Sequence, residues 1–286
     1  MLELTDMQVI RTLCKRHHFT FSKGLGQNFL IDPEVCPAIA EYGIPEPACG
    51  VLEIGTGFGV LTQQLALKSE KVIAVELDRR LQPILQETLA DFKNISVVWQ
   101  DVMKVDLPEF LRTQFGEREV AVCANLPYYI TSPILMHLLE SGAKFRSITV
   151  MVQKEAAERL CAEIGSRQAG AVTAAVRLRG YAEQLFEVPH DSFYPAPKVD
   201  SAAIRITPYD TPPCTPEQLS RILRIVKAGF AQRRKTAVNA LTSGLGLSKE
   251  QVTAALAACG QDANVRFEQL SQETLIQLAD ALEQQA

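Results

Sequence analysis

The chain is short of the groups that hold metals or cross-links. Its four histidines stand at no metal-ligand spacing, and its seven cysteines (14, 36, 49, 123, 161, 214 and 259) are scattered singly with no C-x-x-C pair. That argues against a zinc site and a redox dithiol, so the thiols read as reduced packing groups and no metal is expected. No apolar run approaches the roughly 20 residues of a membrane span. Glu3 and Asp6 stand where a secretory leader would carry basic residues, so a cytoplasmic protein without a membrane segment is expected. There is no internal repeat and no low-complexity tract. A formal charge of −4 argues against a surface that binds polyanions throughout, yet leaves room for local clusters. With 286 residues, 47% of them apolar, the chain can bury one large core and a smaller one.

One further absence is informative. The stretch Val51-Leu52-Glu53-Ile54-Gly55-Thr56-Gly57-Phe58-Gly59 looks like a buried strand running into a glycine turn and then a helix, but it does not contain G-x-G-x-x-G. Counted from Gly55 the last position is Val60, and from Gly57 it is Thr62. A dinucleotide site is therefore disfavoured. The glycines still let a ligand lie against backbone at a helix N-terminus. A second apolar run, Val72 to Val75, ends in Glu76, placed to accept hydrogen bonds from the hydroxyls of a ribose. The E-x-G-x-G-x-G spacing resembles the first motif of S-adenosylmethionine-dependent methyltransferases.

Strands are expected at 50–54, 71–76, 95–99, 120–124 and 147–152, and helices near 59–68, 78–91, 131–141 and 153–163. This alternation predicts a mainly parallel sheet covered on both faces by helices, with Gly55, Glu76, Asp101 and Asn125 at successive strand tips around one crevice. A β-rich run at 182–206 should close the sheet edge. Upstream, Met7, Ile10, Leu13 and Cys14 suggest a short amphipathic helix before a basic end with Arg11, Lys15, Arg16, His17, His18 and Lys23. Residues 24–33 form a glycine-rich loop that should pack across something, with Asp32 as N-cap and Pro33 opening a helix to about Tyr42. Four prolines between 208 and 216 mark a linker, and apolar periodicity on 216–230, 233–243, 248–258 and 271–284 predicts an all-helical second domain. The division expected is 1–207 and 208–286.

Asn125-Leu126-Pro127-Tyr128 carries the most specific chemistry. The amine of a nucleobase is a poor nucleophile because its lone pair is delocalised into the ring. If the Asn125 side-chain oxygen and the Leu126 carbonyl each accept one of its protons, the nitrogen is drawn towards a tetrahedral form without a strong base. Tyr128 would stack on the base, worth about 1–3 kcal/mol.

Gly26-Gln27-Asn28-Phe29-Leu30, Glu53 to Gly59, Glu76, Asp101 and Asn125 to Tyr128 occur in the order found in ribosomal RNA adenine dimethyltransferases. Gln153-Lys154-Glu155, Phe193-x-Pro195-x-Pro197-Lys198-Val199-Asp200-Ser201 and Arg233-Arg234-Lys235-Thr236 do so too, so the resemblance runs from about 20 to 245. The Phe193 segment and the Arg-Arg-Lys helix look like the small-subunit branch rather than the macrolide-resistance enzymes of the large subunit. The resemblance implies a Rossmann-like methyltransferase sheet with a small all-helical carboxyl-terminal domain, and a monomer. It implies S-adenosylmethionine as cofactor, and dimethylation of N6 of two adjacent adenines near the 3′ end of 16S ribosomal RNA in the immature small subunit. Asn28 and Leu30 would hold the methionine and adenosine portions of the cofactor, Gly55 its methionine end, Glu76 the ribose and Asp101 the adenine amine. Asn125 would touch cofactor and target, and Phe193 would be a second aromatic wall opposite Tyr128. The family usually carries an aromatic residue where this chain has Ala169 before Gly170.

Arg221, Arg224, Lys227, Arg233, Arg234 and Lys235 fall in a stretch without one acid and are the candidate RNA contacts, with Lys198 a further candidate. Two other classes remain open on sequence: a ribosome-assembly factor that acts mainly by binding the immature subunit, and an NAD-dependent oxidoreductase. The glycine spacing opposes the latter.

Overall fold

A computed structural model describes residues 2–22, 24 and 26–284. Lys23 and Leu25, counted in the basic segment and the loop after it, lie outside the described residues. In chain order the elements are α1 (Met7–Arg16), β1 (Phe29–Leu30), α2 (Val35–Gly43), β2 (Gly50–Ile54), α3 (Val60–Lys68), β3 (Lys71–Glu76), α4 (Gln82–Thr88) and β4 (Ile95–Trp99). There follow α5 (Leu107–Phe115), β5 (Val120–Asn125), α6 (Thr131–Glu140), β6 (Ser147–Gln153), α7 (Lys154–Cys161), α8 (Ala171–Arg177), β7 (Gly180–Val188), β8 (Phe193–Tyr194) and β9 (Ser201–Pro208). Four helices end the chain: α9 (Pro216–Phe230), α10 (Ala237–Leu245), α11 (Lys249–Ala258) and α12 (Gln272–Glu283). No helix among the described residues is long and apolar enough to cross a membrane.

The chain divides into two compact units, Met1–Ala157 with Glu183–Pro208, and Glu158–Ala182 with Tyr209–Ala286. The second unit thus takes in a segment well upstream of the expected division at 207/208. Ala174 and Leu178, on and just after α8, share one apolar core with Ile222, Val226, Leu241, Leu256 and Leu278. A linker rich in proline is visible in sequence; a core shared by distant segments is not.

The first unit is built on a seven-stranded sheet of order β4-β3-β2-β5-β6-β9-β7. Strands β4, β3, β2, β5 and β6 run parallel and β9 joins antiparallel. All five residues of β2 are buried, as a central strand covered on both faces requires. The chain steps from β2 to β3 and β4 on one side, then returns to β5 on the other. That reversal beside β2 opens a crevice at the carboxyl ends, where such sheets bind ligands. The β-rich run at 182–206 does close one edge, through β9 and β7.

In α1, Asp6 caps the first turn by accepting from the Gln8 amide, and Ile10 and Leu13 are buried against Phe19, Phe29 and Phe58. Helix α2 starts two residues later than expected. Asp32 instead accepts from the Glu34 amide and from the Ser192 hydroxyl, which ties the turn to the segment before β8. Helices α5 and α8 are additions to the elements expected from sequence. The second unit stacks α8 to α12, with Thr215, Thr236, Ser248 and Ser271 capping the last four helices through their side chains.

Candidate active site

One cleft, enclosing about 1120 Å³ including open solvent at its mouth, lies at the carboxyl ends of β2, β3, β4 and β5. Asn28, Leu30, Gly55, Glu76, Asp101, Asn125, Leu126 and Tyr128 all line it, so eight of the residues singled out from sequence meet in one place. The glycine turn runs through φ of +78°, +53° and +92° at Gly55, Gly57 and Gly59, a conformation that side chains disfavour. A Cβ placed on Gly55 would meet no atom within 4 Å, so the backbone there stands open to a ligand.

Glu76 is 7% exposed at the tip of β3. Its Oε2 accepts from the Thr56 amide at 2.8 Å and the Thr56 hydroxyl at 2.9 Å, and its Oε1 accepts from the Asp78 amide at 2.7 Å. A carboxylate offers about four lone-pair sites, so Oε1 keeps room for a ribose hydroxyl. Asp78 in turn accepts from the Gln27 carboxamide at 2.9 Å and from the Arg80 guanidinium at 2.8 and 2.6 Å. Burial alone would raise the Asp78 carboxyl. The hydrogen bonds from Arg80 and Gln27 outweigh it and hold the group below the usual carboxylate range. Gln27 Oε1 accepts from the Ser22 amide, so this side chain pins the glycine-rich loop to the strand tip beside Glu76. Thr56, Asp78 and Arg80 are site residues that the sequence did not single out; the Glu76-x-Asp78 spacing was the available signal.

Asp101 caps the turn that follows it through Oδ1, which accepts from the Met103 amide. Its other oxygen lies 3.9 Å from the Lys104 ammonium and stays available to a ligand amine. The Asn125 side-chain nitrogen donates to the Asn28 carbonyl at 3.5 Å, and the Asn125 oxygen has no partner among the described residues. Leu126 is buried and donates its amide to Met151, while its carbonyl accepts no hydrogen bond among the described residues. Two neutral acceptors are therefore free side by side. The Tyr128 hydroxyl meets that of Ser201 at 2.6 Å, which fixes the ring, and burial pushes the phenol up.

Phe193 is not brought to this cleft. It is 2% exposed, pairs with Leu30 in the β1–β8 ribbon and packs with Val35, Ile39 and Val188. Alternation along a two-residue strand turns Phe193 inward and Tyr194 outward. Its place is beside Leu30 in the same apolar core.

Glu53 is fully buried in β2, and neither of its oxygens has a hydrogen-bond partner among the described residues. Burial drives its carboxyl up to about 8; the nearby Thr62 hydroxyl opposes the shift and the Glu76 charge reinforces it.

In the second unit the six candidate RNA cations fall into two groups. Arg221 pairs with Asp280 and Glu283, each at 3.2 Å. Arg233 pairs with Glu268 at 3.1 Å and donates to the carbonyls of Arg167 and Ala169. Acids distant in sequence thus oppose two cations that look unopposed in the linear stretch. Arg224, Lys227, Arg234 and Lys235 are exposed and have no acid partner among the described residues. Arg233, Arg234 and Lys235 lie in the turn between α9 and α10 rather than on the expected helix, because Thr236 caps α10 and starts it at Ala237. At the unusual position, Ala169 is buried and Gly170 opens α8, its amide donating to the Thr173 hydroxyl.

The parallel sheet, the glycine turn and the acid at the next strand tip define a Rossmann-like S-adenosylmethionine-dependent methyltransferase. The chain belongs to the ribosomal RNA adenine dimethylase family, whose model matches residues 18–284. It is 41% identical over 288 residues to a ribosomal RNA small subunit methyltransferase A of Streptococcus pneumoniae strain P1031, covering 99% of both chains. It is 44% identical over 264 residues to the protein of the same name in Alkaliphilus metalliredigens, covering 92% of each. Among solved structures, the 23S rRNA methyltransferase ErmE is similar at a TM-score of 0.70 and 28% identity, over 90% of this chain and 100% of that one. A dimethyladenosine transferase from Plasmodium falciparum shares the fold at a TM-score of 0.70 and 24% identity, over 87% and 95%.

Proposed function

We propose that this enzyme dimethylates N6 of two adjacent adenines near the 3′ end of 16S ribosomal RNA, acting as a cytoplasmic monomer on the immature small subunit. The observation that carries the reading is the pair of free acceptors, Asn125 Oδ1 and the Leu126 carbonyl, in the cleft that also holds Gly55 and Glu76. The residues fit S-adenosylmethionine: Gly55 leaves space against backbone, Glu76 keeps acceptor capacity for the ribose and Asp101 for an amine. Leu30 and Asn28 line the same cleft.

When bound, that cofactor supplies a methyl group on a sulfonium, already activated towards displacement. The chain has to present the nucleophile. Tyr128, held by Ser201, offers a stacking face to a flipped adenine. In the first transfer Asn125 and Leu126 accept hydrogen bonds from the two amine N–H groups and localise the N6 lone pair; in the second, one N–H remains and one acceptor serves it. Both acceptors are neutral, so the nitrogen keeps its protons until transfer has made it cationic, and the surplus proton then passes to solvent at the open mouth of the cleft. Catalysis then rests on positioning, which can supply several kcal/mol of the barrier, roughly 7–11 in the best intramolecular cases. Arg224, Lys227, Arg234 and Lys235 are proposed to meet RNA phosphates.

An assembly factor acting by binding alone would have no use for two free acceptors beside a cofactor cleft, so methyl transfer is the better account. The test is incubation of the protein with labelled S-adenosylmethionine and unmethylated small subunits, followed by mass mapping of methylated adenines. Label on two neighbouring adenines near the 3′ end is expected. Label elsewhere, or none, would overturn the proposal.

A further inference from the structure

Tyr129 is the one exposed aromatic side chain among the described residues that line the cleft, and the chemistry above leaves it unused; Phe29 and Phe58, which also line it, are buried. It follows Tyr128 in the turn Tyr128–Ile130 and lines the same cleft, yet it is 59% exposed, whereas Tyr128 is half-buried. Its hydroxyl has no hydrogen-bond partner among the described residues, so no polar contact explains where it stands. The ring is nonetheless supported from one side. A Cβ on Gly26 would lie 3.2 Å from Tyr129 Cδ1 and 3.4 Å from Cε1, so the glycine-rich loop runs along one edge of the ring. A large aromatic held at the rim of a nucleoside-sized cleft, with most of its surface turned to solvent, is a stacking platform without a partner.

We propose that Tyr129 stacks on the base next to the adenine held by Tyr128. This rests on the adenine-methyltransferase reading of the cleft. Extruding one base breaks its stacking with both neighbours, a cost that falls on the strand at the cleft rim. Successive residues of a tight turn project in different directions, so Tyr128 turns into the cleft and Tyr129 stays at its edge. A base stacked on Tyr129 recovers part of the lost stacking. It also makes the enzyme sensitive to the nucleotide on one side of its target: the strand has a direction, so of two adjacent adenines one serves as the rim base while the other reacts.

The test uses the full-length protein and small subunits reconstituted with 16S RNA that carries either both adenines or one adenine with an abasic nucleotide on each side. With both adenines present, Tyr129→Ala should lower kcat/KM by about tenfold, the loss of one stacked base. Between the abasic nucleotides, wild type and Tyr129→Ala should differ by less than about twofold, because there is no base left to stack. Tyr129→Phe should recover most of the loss on the normal RNA, since the ring and not the hydroxyl is used. S-adenosylmethionine affinity, measured separately by calorimetry, should be the same in Tyr129→Ala and wild type. An equal loss on both RNAs, or a loss matched by weaker cofactor binding, would show that Tyr129 only props the Gly26 loop, and no loss on either would show that the ring is not used; each would overturn the proposal. Failure of the wild type to methylate either RNA is a different result: it removes the adenine-methyltransferase reading and this inference with it.

Discussion

Asn125 divides its carboxamide between two tasks. Its nitrogen holds the Asn28 carbonyl at 3.5 Å, and its oxygen is proposed to accept from the target amine. Asn125→Ala removes both, so single-turnover methyl transfer on unmethylated subunits should slow by at least about tenfold, or about 1.4 kcal/mol of barrier. Subunit binding should not change. A normal transfer rate would show that the amine is not activated in this way. Glu53 makes a different kind of prediction. Its folded carboxyl titrates near 8 because of burial, whereas an exposed glutamate titrates near 4.3. Between those values the folded state holds a proton that the unfolded state has lost. Stability contributed by this group is therefore full at low pH and falls by about 1.4 kcal/mol per unit as pH rises towards 8. Glu53→Gln, scanned for Tm without cofactor between pH 5 and 8, should flatten that decline. The same decline in both proteins would show that Glu53 is ionised throughout. The E-x-G-x-G-x-G spacing marked Glu53 in the sequence, but burial without a partner is set by the strands on either side of β2 and cannot be seen in one segment.

Gln27 ties the segment around it to the site. It bridges the Ser22 amide and the Asp78 carboxylate, and Asp78 donates its own amide to Glu76. Gln27→Ala should weaken S-adenosylmethionine binding by about 0.5–1.5 kcal/mol, less than the roughly 1.5–3 kcal/mol of a hydrogen bond to a charged acceptor, because Gln27 acts through the loop and not on the cofactor. Glu76→Ala removes a charged acceptor and should cost about 1.5–3 kcal/mol. Calorimetry with the cofactor checks both, and an unaltered affinity for Gln27→Ala would mean that the loop is held by its apolar packing alone. Elements whose signal is local were legible: the five parallel strands and the turn after β2 follow from apolar runs and glycine spacing. Phe193 was misplaced because strand pairing with Leu30 decides which way it faces. The Arg-Arg-Lys segment was drawn into a helix because the apolar periodicity of α10 blurs across its start, which the Thr236 cap fixes.

Net charge hides the surface that matters for a polyanionic substrate. The chain is acidic as a whole, at −4, yet the second unit exposes Arg224, Lys227, Arg234 and Lys235 without acid partners among the described residues. Arg221 and Arg233, beside them in sequence, are spent on Asp280, Glu283 and Glu268. The division separates binding from stability. Changing the four free cations to Glu should weaken binding to unmethylated subunits and reduce the slope of log K against log salt by about 0.7–0.9 for each phosphate that is no longer neutralised. Cofactor affinity and Tm should stay near wild type, since exposed charges contribute little to stability, typically within about 0.5 kcal/mol each. Arg221→Ala and Arg233→Ala should do the reverse. Each strips the partner from acids and carbonyls of the helical unit and should lower Tm while leaving the salt slope almost unchanged. Titrations of subunit binding across a salt series, run beside thermal melts of all the variants, decide the matter. If the fourfold reversal leaves the slope as it was, these cations are an ordinary solvated face and the RNA is held by another surface.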